Sequence, residues 1–128
     1  MTSRLVLDTS IFIAHESGRP LGDLPEDVEL AISVVTLAEL RTGVLMAAEG
    51  VRATRLATYD AAAAFGALPI DRPVADRYAE LAAAAVSAGR KPRVRDLWIA
   101  ATASIHDAAV ATQDDDFDAL PGVVVLKV

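Results

Sequence analysis

The sequence predicts an α/β fold: a mostly parallel five-stranded sheet flanked by helices. Two observations carry that expectation. Short apolar runs suited to buried strands recur at residues 4–7, 30–35, 68–70, 109–112 and 123–126, and stretches with helical spacing lie between most of them. Strands joined through helices need crossover connections, so they lie parallel and both sheet faces are covered. A third observation concerns size. The 128 residues are 53% apolar and no linker or low-complexity tract divides them, so residues 1–128 read as one domain with a sizeable core.

The helices follow in order. The first begins after Asp8. The second is expected from about residue 36 to 49, with Leu37, Leu40, Val44 and Leu45 along one stripe, and the third from about 51 to 65. Pro73 is suited to a helix start and opens the fourth, in which Val74, Tyr78, Leu81 and Ala85 repeat at helical spacing until Gly89 stops it. A fifth runs from about 96 to 106, and no internal repeat is present.

Composition removes several functions. The chain has no cysteine, so disulfides, thiolate metal sites and a thiol nucleophile are excluded, and any metal must take oxygen or histidine ligands. Its apolar start is too short and interrupted for a signal peptide, and no run approaches the roughly 20 apolar residues of a membrane span. The chain therefore reads as cytoplasmic. A net charge of −6 argues against a general nucleic-acid coat protein, which needs Lys and Arg to neutralise phosphates, but leaves room for a local basic patch.

In a parallel sheet, ligands bind outside the carboxyl ends of the strands near a topological switch point. Four acids fall close to that edge. Asp8 ends the first strand in LVLDTSIFI, Glu39 lies one turn into the second helix, Asp96 opens the fifth helix, and Asp114 follows the fourth strand in ATQDDDF. Singly, each has an ordinary explanation: Asp8 as a helix cap, Thr36 to Glu39 as a capping box, Asp96 as a cap or first-turn acid, Asp114 as the start of a turn. If the helices return over the sheet as parallel topology requires, all four carboxylates converge. Two unit charges about 4 Å apart at an effective dielectric near 20 repel by roughly 4 kcal/mol, and a cation relieves that repulsion. Oxygen-only ligands suit Mg²⁺ or Mn²⁺, which fill their remaining positions with water and phosphate oxygens, so the set points to phosphoryl chemistry.

LVLDTSIFI, SVVTLAELRTGV, RDLWIAATA and ATQDDDF, in that order across essentially the whole chain, resemble the PIN-domain ribonucleases, specifically the VapC toxins of bacterial toxin–antitoxin pairs and the similar FitB proteins. The resemblance implies a PIN-like three-layer sandwich. It also implies that Asp8, Glu39, Asp96 and Asp114 are an acidic quartet binding Mg²⁺ or Mn²⁺, with Asp116 as an additional acid before Phe117. The family accepts Asp or Asn at the position of Asp114, and the run Asp114, Asp115, Asp116 leaves the register of the last acid open. Activity would be hydrolysis of RNA to 5′-phosphate and 3′-hydroxyl ends. Partners would be an RNA substrate, a second copy in a homodimer, and a cognate VapB antitoxin in a heterotetramer or larger complex.

The residue types suit such chemistry, because a divalent cation acidifies water and neutralises charge on a phosphodiester without any side-chain nucleophile. Thr9, Ser10 and Thr112 have hydroxyls placed to orient carboxylates, though turn and capping roles serve equally. Arg90, Lys91, Arg93 and Arg95, in GRKPRVRD, could hold RNA phosphates or form a solvated loop. His15 and His106 read as ordinary helix residues, and Phe12 and Trp98 as packing. An antitoxin is expected to insert an Arg or Lys among the quartet and to lay a helix against Ile11, Phe12, Leu37, Leu40 and Leu45, most of which would serve equally as core. Two other readings stand beside this one. A receiver-like phosphoacceptor domain would use Asp8, Asp71, Thr112 and Lys127 but gives Glu39 and Asp96 no role, and a noncatalytic PIN-fold interaction module would use no site at all.

Overall fold

Strand β1 (Ser3–Leu7) turns Leu5 and Leu7 to one face of the sheet and Val6 to the other, as the two-residue period of a strand requires. Each face has its own core. Leu5 and Leu7 join Ile32, Phe12, Leu40, Ala62 and Ala111 on one side, and Val6 joins Val110, Val74, Leu81, Leu97, Ile99 and Phe117 on the other. The first layer of helices is α1 (Thr9–Glu16), α2 (Val34–Met46) and α3 (Glu49–Ala63); the second is α4 (Arg72–Ser87) and α5 (Val94–Ile105). Between them lie β2 (Val28–Ser33), β3 (Gly66–Leu68), β4 (Ala109–Thr112) and β5 (Val125–Lys127) beside β1. This computed structural model describes residues 3–128.

All strand pairs are parallel, in the order β3-β2-β1-β4-β5. The chain builds outward from β1 to β3 and then returns to lay β4 and β5 on the other side. The reversal falls between β1 and β4, whose registers pair Leu7 with Ala111, and the Asp8 amide continues the contact by donating to the Ala111 carbonyl at 2.9 Å. Asp8 and the segment after Thr112 thus leave the sheet side by side at the switch point.

Some boundaries differ from those expected, for local reasons. Strand β2 ends at Ser33, not Val35, because the Ser33 hydroxyl accepts the Val35 amide at 3.1 Å and starts α2 at Val34. Thr36 is therefore inside the helix, and the capping box is overturned. Strand β3 covers Gly66–Leu68 instead of 68–70, since Pro69 has no amide to extend the ladder. Helix α5 starts two residues before Asp96, which sits in its first turn. Gly89 ends α4 as expected, at φ +74° where other residues are strained. Among the described residues no helix is long and apolar enough to cross a membrane.

Candidate active site

Asp8 is 3% exposed and caps α1, its Oδ2 accepting from the Ser10 amide at 3.4 Å and from the Thr112 hydroxyl at 2.9 Å. Thr112 has one hydroxyl hydrogen, and it goes to Asp8. The other two neighbours of Thr112 Oγ1, the Asp114 amide at 3.0 Å and the Ser10 hydroxyl at 3.2 Å, are therefore donors. Ser10 Oγ in turn accepts the Gln113 amide at 3.1 Å. One hydrogen-bonded chain thus ties the end of β1 to the turn after β4 and fixes both Asp8 and the backbone of Asp114.

Glu39 is held in the same way from α2. Its Oε1 accepts from Thr9 Oγ1 at 2.8 Å, so the contact between Thr9 and the fully buried Thr36, 3.0 Å, has Thr36 as donor. Thr36 was missed as a site residue because it matched a capping box. The signal available was its spacing, three residues before Glu39 and hence on the same helix face.

Asp96, half-buried in the first turn of α5, brings the acids into one electrostatic unit. Its carboxyl is pushed up to about 6, first by burial and then by the charges of Asp8, Asp116, Asp114 and Glu39. Asp114 is also raised, by burial and by Asp8 and Asp116, with Arg19 and Lys127 pulling the other way. The Asp run divides by direction. Asp115 turns to Lys127, which holds its carboxyl below the usual range, whereas Asp114 and Asp116 both act on Asp96.

The basic loop closes the rim. Arg95 Nη1 meets Glu39 Oε2 at 3.2 Å and Arg93 Nη1 meets Asp116 Oδ2 at 3.4 Å, while Arg90 donates to the Ala119 carbonyl. Glu39, Arg93, Val94, Arg95, Asp96 and Asp116 line an open cleft of about 460 Å³. Among the described residues, no three acidic or imidazole side chains are gathered closely enough to hold an ion as they stand. Two of the acids, Glu39 and Asp116, are paired with Arg95 and Arg93 instead. The donors nevertheless suit a hard divalent cation: all are carboxylate oxygens, and one carboxyl is raised by burial and by the charges of its neighbours.

A consequence follows for the metal-free protein. With Asp96 at about 6 when folded and near 3.8 when unfolded, the folded state binds the proton more tightly, so stability falls as pH rises through that window. Asp96→Asn should therefore stabilise the protein at pH 7 by about 1 kcal/mol, a value discounted because the carboxyl is only half-buried. It should also flatten the fall. Calorimetry in EDTA from pH 4 to 7 checks this, and parallel curves for the two proteins would contradict it.

Phe12 packs edge-on against Phe65 with ring centroids 5.9 Å apart, and Trp98 stacks on Tyr78 at 3.9 Å. His15 is exposed and His106 lies beside Arg4, away from the acids. Asp71 accepts the Val74 amide at 3.2 Å as the cap of α4, after an edge strand, which leaves no counterpart to a receiver's phosphoacceptor. Of the apolar residues proposed as an antitoxin surface, Ile11, Phe12 and Leu40 are core, and Leu45 is 64% exposed.

A three-layer parallel fold with acids from four elements at its switch point defines a PIN-type domain. The family model described as PIN domain matches residues 5–123. "Ribonuclease VapC5" of Mycobacterium tuberculosis (strain ATCC 25618 / H37Rv) is 48% identical over 124 residues, 96% of this chain and 92% of that one. "Ribonuclease VapC4" of the same strain is 42% identical over 126 residues, 98% and 97% of the two chains. The crystal structure of VapBC-5 from M. tuberculosis, a member of the VapBC family of toxin–antitoxin systems, matches with a TM-score of 0.83 at 45% identity, over 98% of this chain and 99% of that one. The chain belongs to the PIN-domain family and, within it, to the VapC proteins.

Proposed function

We propose that this chain is a divalent-metal-dependent endoribonuclease, a VapC-type toxin that hydrolyses RNA phosphodiester bonds and is inhibited by a cognate VapB antitoxin. One observation carries the reading: Asp8 after β1, Glu39 on α2, Asp96 on α5 and Asp114 after β4 gather at one sheet edge, where burial and then the charges of the other acids raise Asp96. The ribonuclease names of VapC5 and VapC4, and the antitoxin partnership of the VapBC-5 structure, support it.

Asp8, Glu39, Asp96 and Asp114 would hold Mg²⁺ or Mn²⁺, with Asp116 as a further ligand. When bound, the ion supplies water of lowered pKa and neutralises charge developing on the phosphodiester. The protein's own part is placement. Thr112 and Ser10 orient Asp8, and Thr36 through Thr9 orients Glu39, while the acids would have to draw together to share an ion. Arg90, Lys91, Arg93 and Arg95 hold phosphates of the strand beside Asp96.

The partners follow from the same reading: a homodimer, and with antitoxin a heterotetramer or larger complex in the cytoplasm. Leu45 and Met46 at the end of α2, with Val51 and Leu56 on α3, are exposed apolar residues against which an antitoxin helix can pack. An Arg or Lys of the antitoxin would enter the acidic cleft and compete with the metal.

Purified protein with Mn²⁺ should cut single-stranded RNA, EDTA should stop it, and Asp71→Asn should keep the wild-type rate. Cutting that persists in EDTA would refute metal dependence. No cutting of any RNA would favour a noncatalytic module, and Asp71-dependent modification by acetyl phosphate would favour a receiver.

A further inference from the structure

Resting on the metal-site reading, we infer that Arg93 and Arg95 are exchangeable counter-ions: each holds one carboxylate, Asp116 and Glu39, until a divalent cation takes it, and is then released to an RNA phosphate. Their position is the first reason. Arg93 is the N-cap of α5 and Arg95 lies in its first turn, where the helix dipole disfavours cations. Their side chains are 69% and 74% exposed, so packing does not account for them either. What they meet is the acids. Each guanidinium touches its carboxylate through one nitrogen, at 3.4 Å and 3.2 Å, and neither pair is the bidentate geometry that makes such contacts strong.

Strength is the second reason. Exposed pairs of this kind shift an equilibrium only a few-fold, so a divalent ion drawing on several carboxylates at once displaces them. The arginines stay charged when displaced, because guanidinium does not lose its proton in proteins.

The surroundings say where the freed groups go. Arg95 is shared between the acidic cleft and an adjoining hollow of about 180 Å³ that Glu16, Glu39, Gly43 and Arg55 also line, with Glu16 holding Arg55 at 3.4 Å. Arg93 is shared between the cleft and a hollow lined by Arg90, Lys91 and Pro92. Arg93 thus stands beside the cations Arg90 and Lys91 in a hollow without acids, whereas Arg95 has Arg55 beside it together with the carboxylates of Glu16 and Glu39. A strand crossing the cleft would meet a phosphate site at the freed Arg93, beside Arg90 and Lys91, and the freed Arg95 would add a second contact, both becoming available when the ion is bound.

Mn²⁺ titration followed by electron paramagnetic resonance tests this with the full chain. The double variant Arg93→Ala, Arg95→Ala should bind Mn²⁺ about 3- to 10-fold more tightly than wild type, and Arg90→Ala with Lys91→Ala, which removes equal charge from the same loop, less than about twofold. Equal tightening in both double variants would mean diffuse charge and overturn the inference, as would no change in either. Absence of Mn²⁺ binding in all three proteins would instead overturn the metal site itself. Arginine Nε–Hε NMR signals give a second readout. Those of Arg93 and Arg95 should move with Mg²⁺ occupancy while that of Arg55 stays, and stationary Arg93 and Arg95 signals would overturn the exchange.

Discussion

Asp8→Asn is expected to slow RNA cleavage by on the order of 10³-fold or more while leaving the fold intact. Asp8 is the most buried of the acids and stands at the switch point, between the Thr112 hydroxyl and the Ser10 amide. Asparagine keeps an oxygen to accept both hydrogen bonds, so the β1–β4 junction survives. It loses the negative charge. If a shared cation contributes several kcal/mol to stabilising the transition state, each 1.36 kcal/mol lost costs tenfold, and loss of the buried ligand removes most of that contribution. Single-turnover cleavage at saturating Mn²⁺ measures the effect, with circular dichroism as the control on folding. A variant retaining a tenth or more of the wild-type rate would show that Asp8 serves only as a helix cap.

Phe117→Ala should destabilise the protein by about 3–5 kcal/mol, lowering Tm by roughly 10–20 °C. Phe117 is fully buried against the α4 and α5 face of the sheet, directly after Asp116. It is the anchor that pulls the acidic turn onto the core. The turn itself has few fixed contacts, among them Asp118 amide to Asp115 carbonyl and Leu120 amide to Phe117 carbonyl, both at 3.2 Å. Truncation should therefore weaken cleavage even at temperatures where the protein remains folded, because Asp116, directly before Phe117, loses its support. Phe117→Leu should cost less on both counts. A cavity that left Tm within a few degrees of wild type would contradict the packing described.

The sheet and the acids were readable in the sequence for one reason. Strand ends at a switch point are fixed by buried apolar runs, and Leu5, Val6 and Leu7 or Val110 and Ala111 announce those runs directly. Asp8, placed immediately after such a run, is visible without any knowledge of side-chain geometry, whereas Glu39 and Asp96 are legible only from their places near the starts of α2 and α5. What escaped depended on competition between local preferences. Val34 and Val35 favour a strand, but the Ser33 cap wins and moves Thr36 from the helix start to its buried face. The stripe Leu37, Leu40, Val44, Leu45 did not reveal which member leaves the core: Leu40 and Val44 are buried, whereas Leu45 is exposed. The division of Asp114, Asp115 and Asp116 was equally hidden, since it depends on Lys127, which pairs with Asp115 and Asp118 from the last strand.

Whether the four acids form one metal site is read most directly from thermal unfolding of wild type and Asp8→Asn across a Mn²⁺ titration. A ligand bound only by the folded state stabilises it by about 2.7 kcal/mol at a hundred times its dissociation constant. The wild-type Tm should rise accordingly with Mn²⁺, and the Asp8→Asn protein should show little of that rise. An equal rise in both would contradict a site built around Asp8.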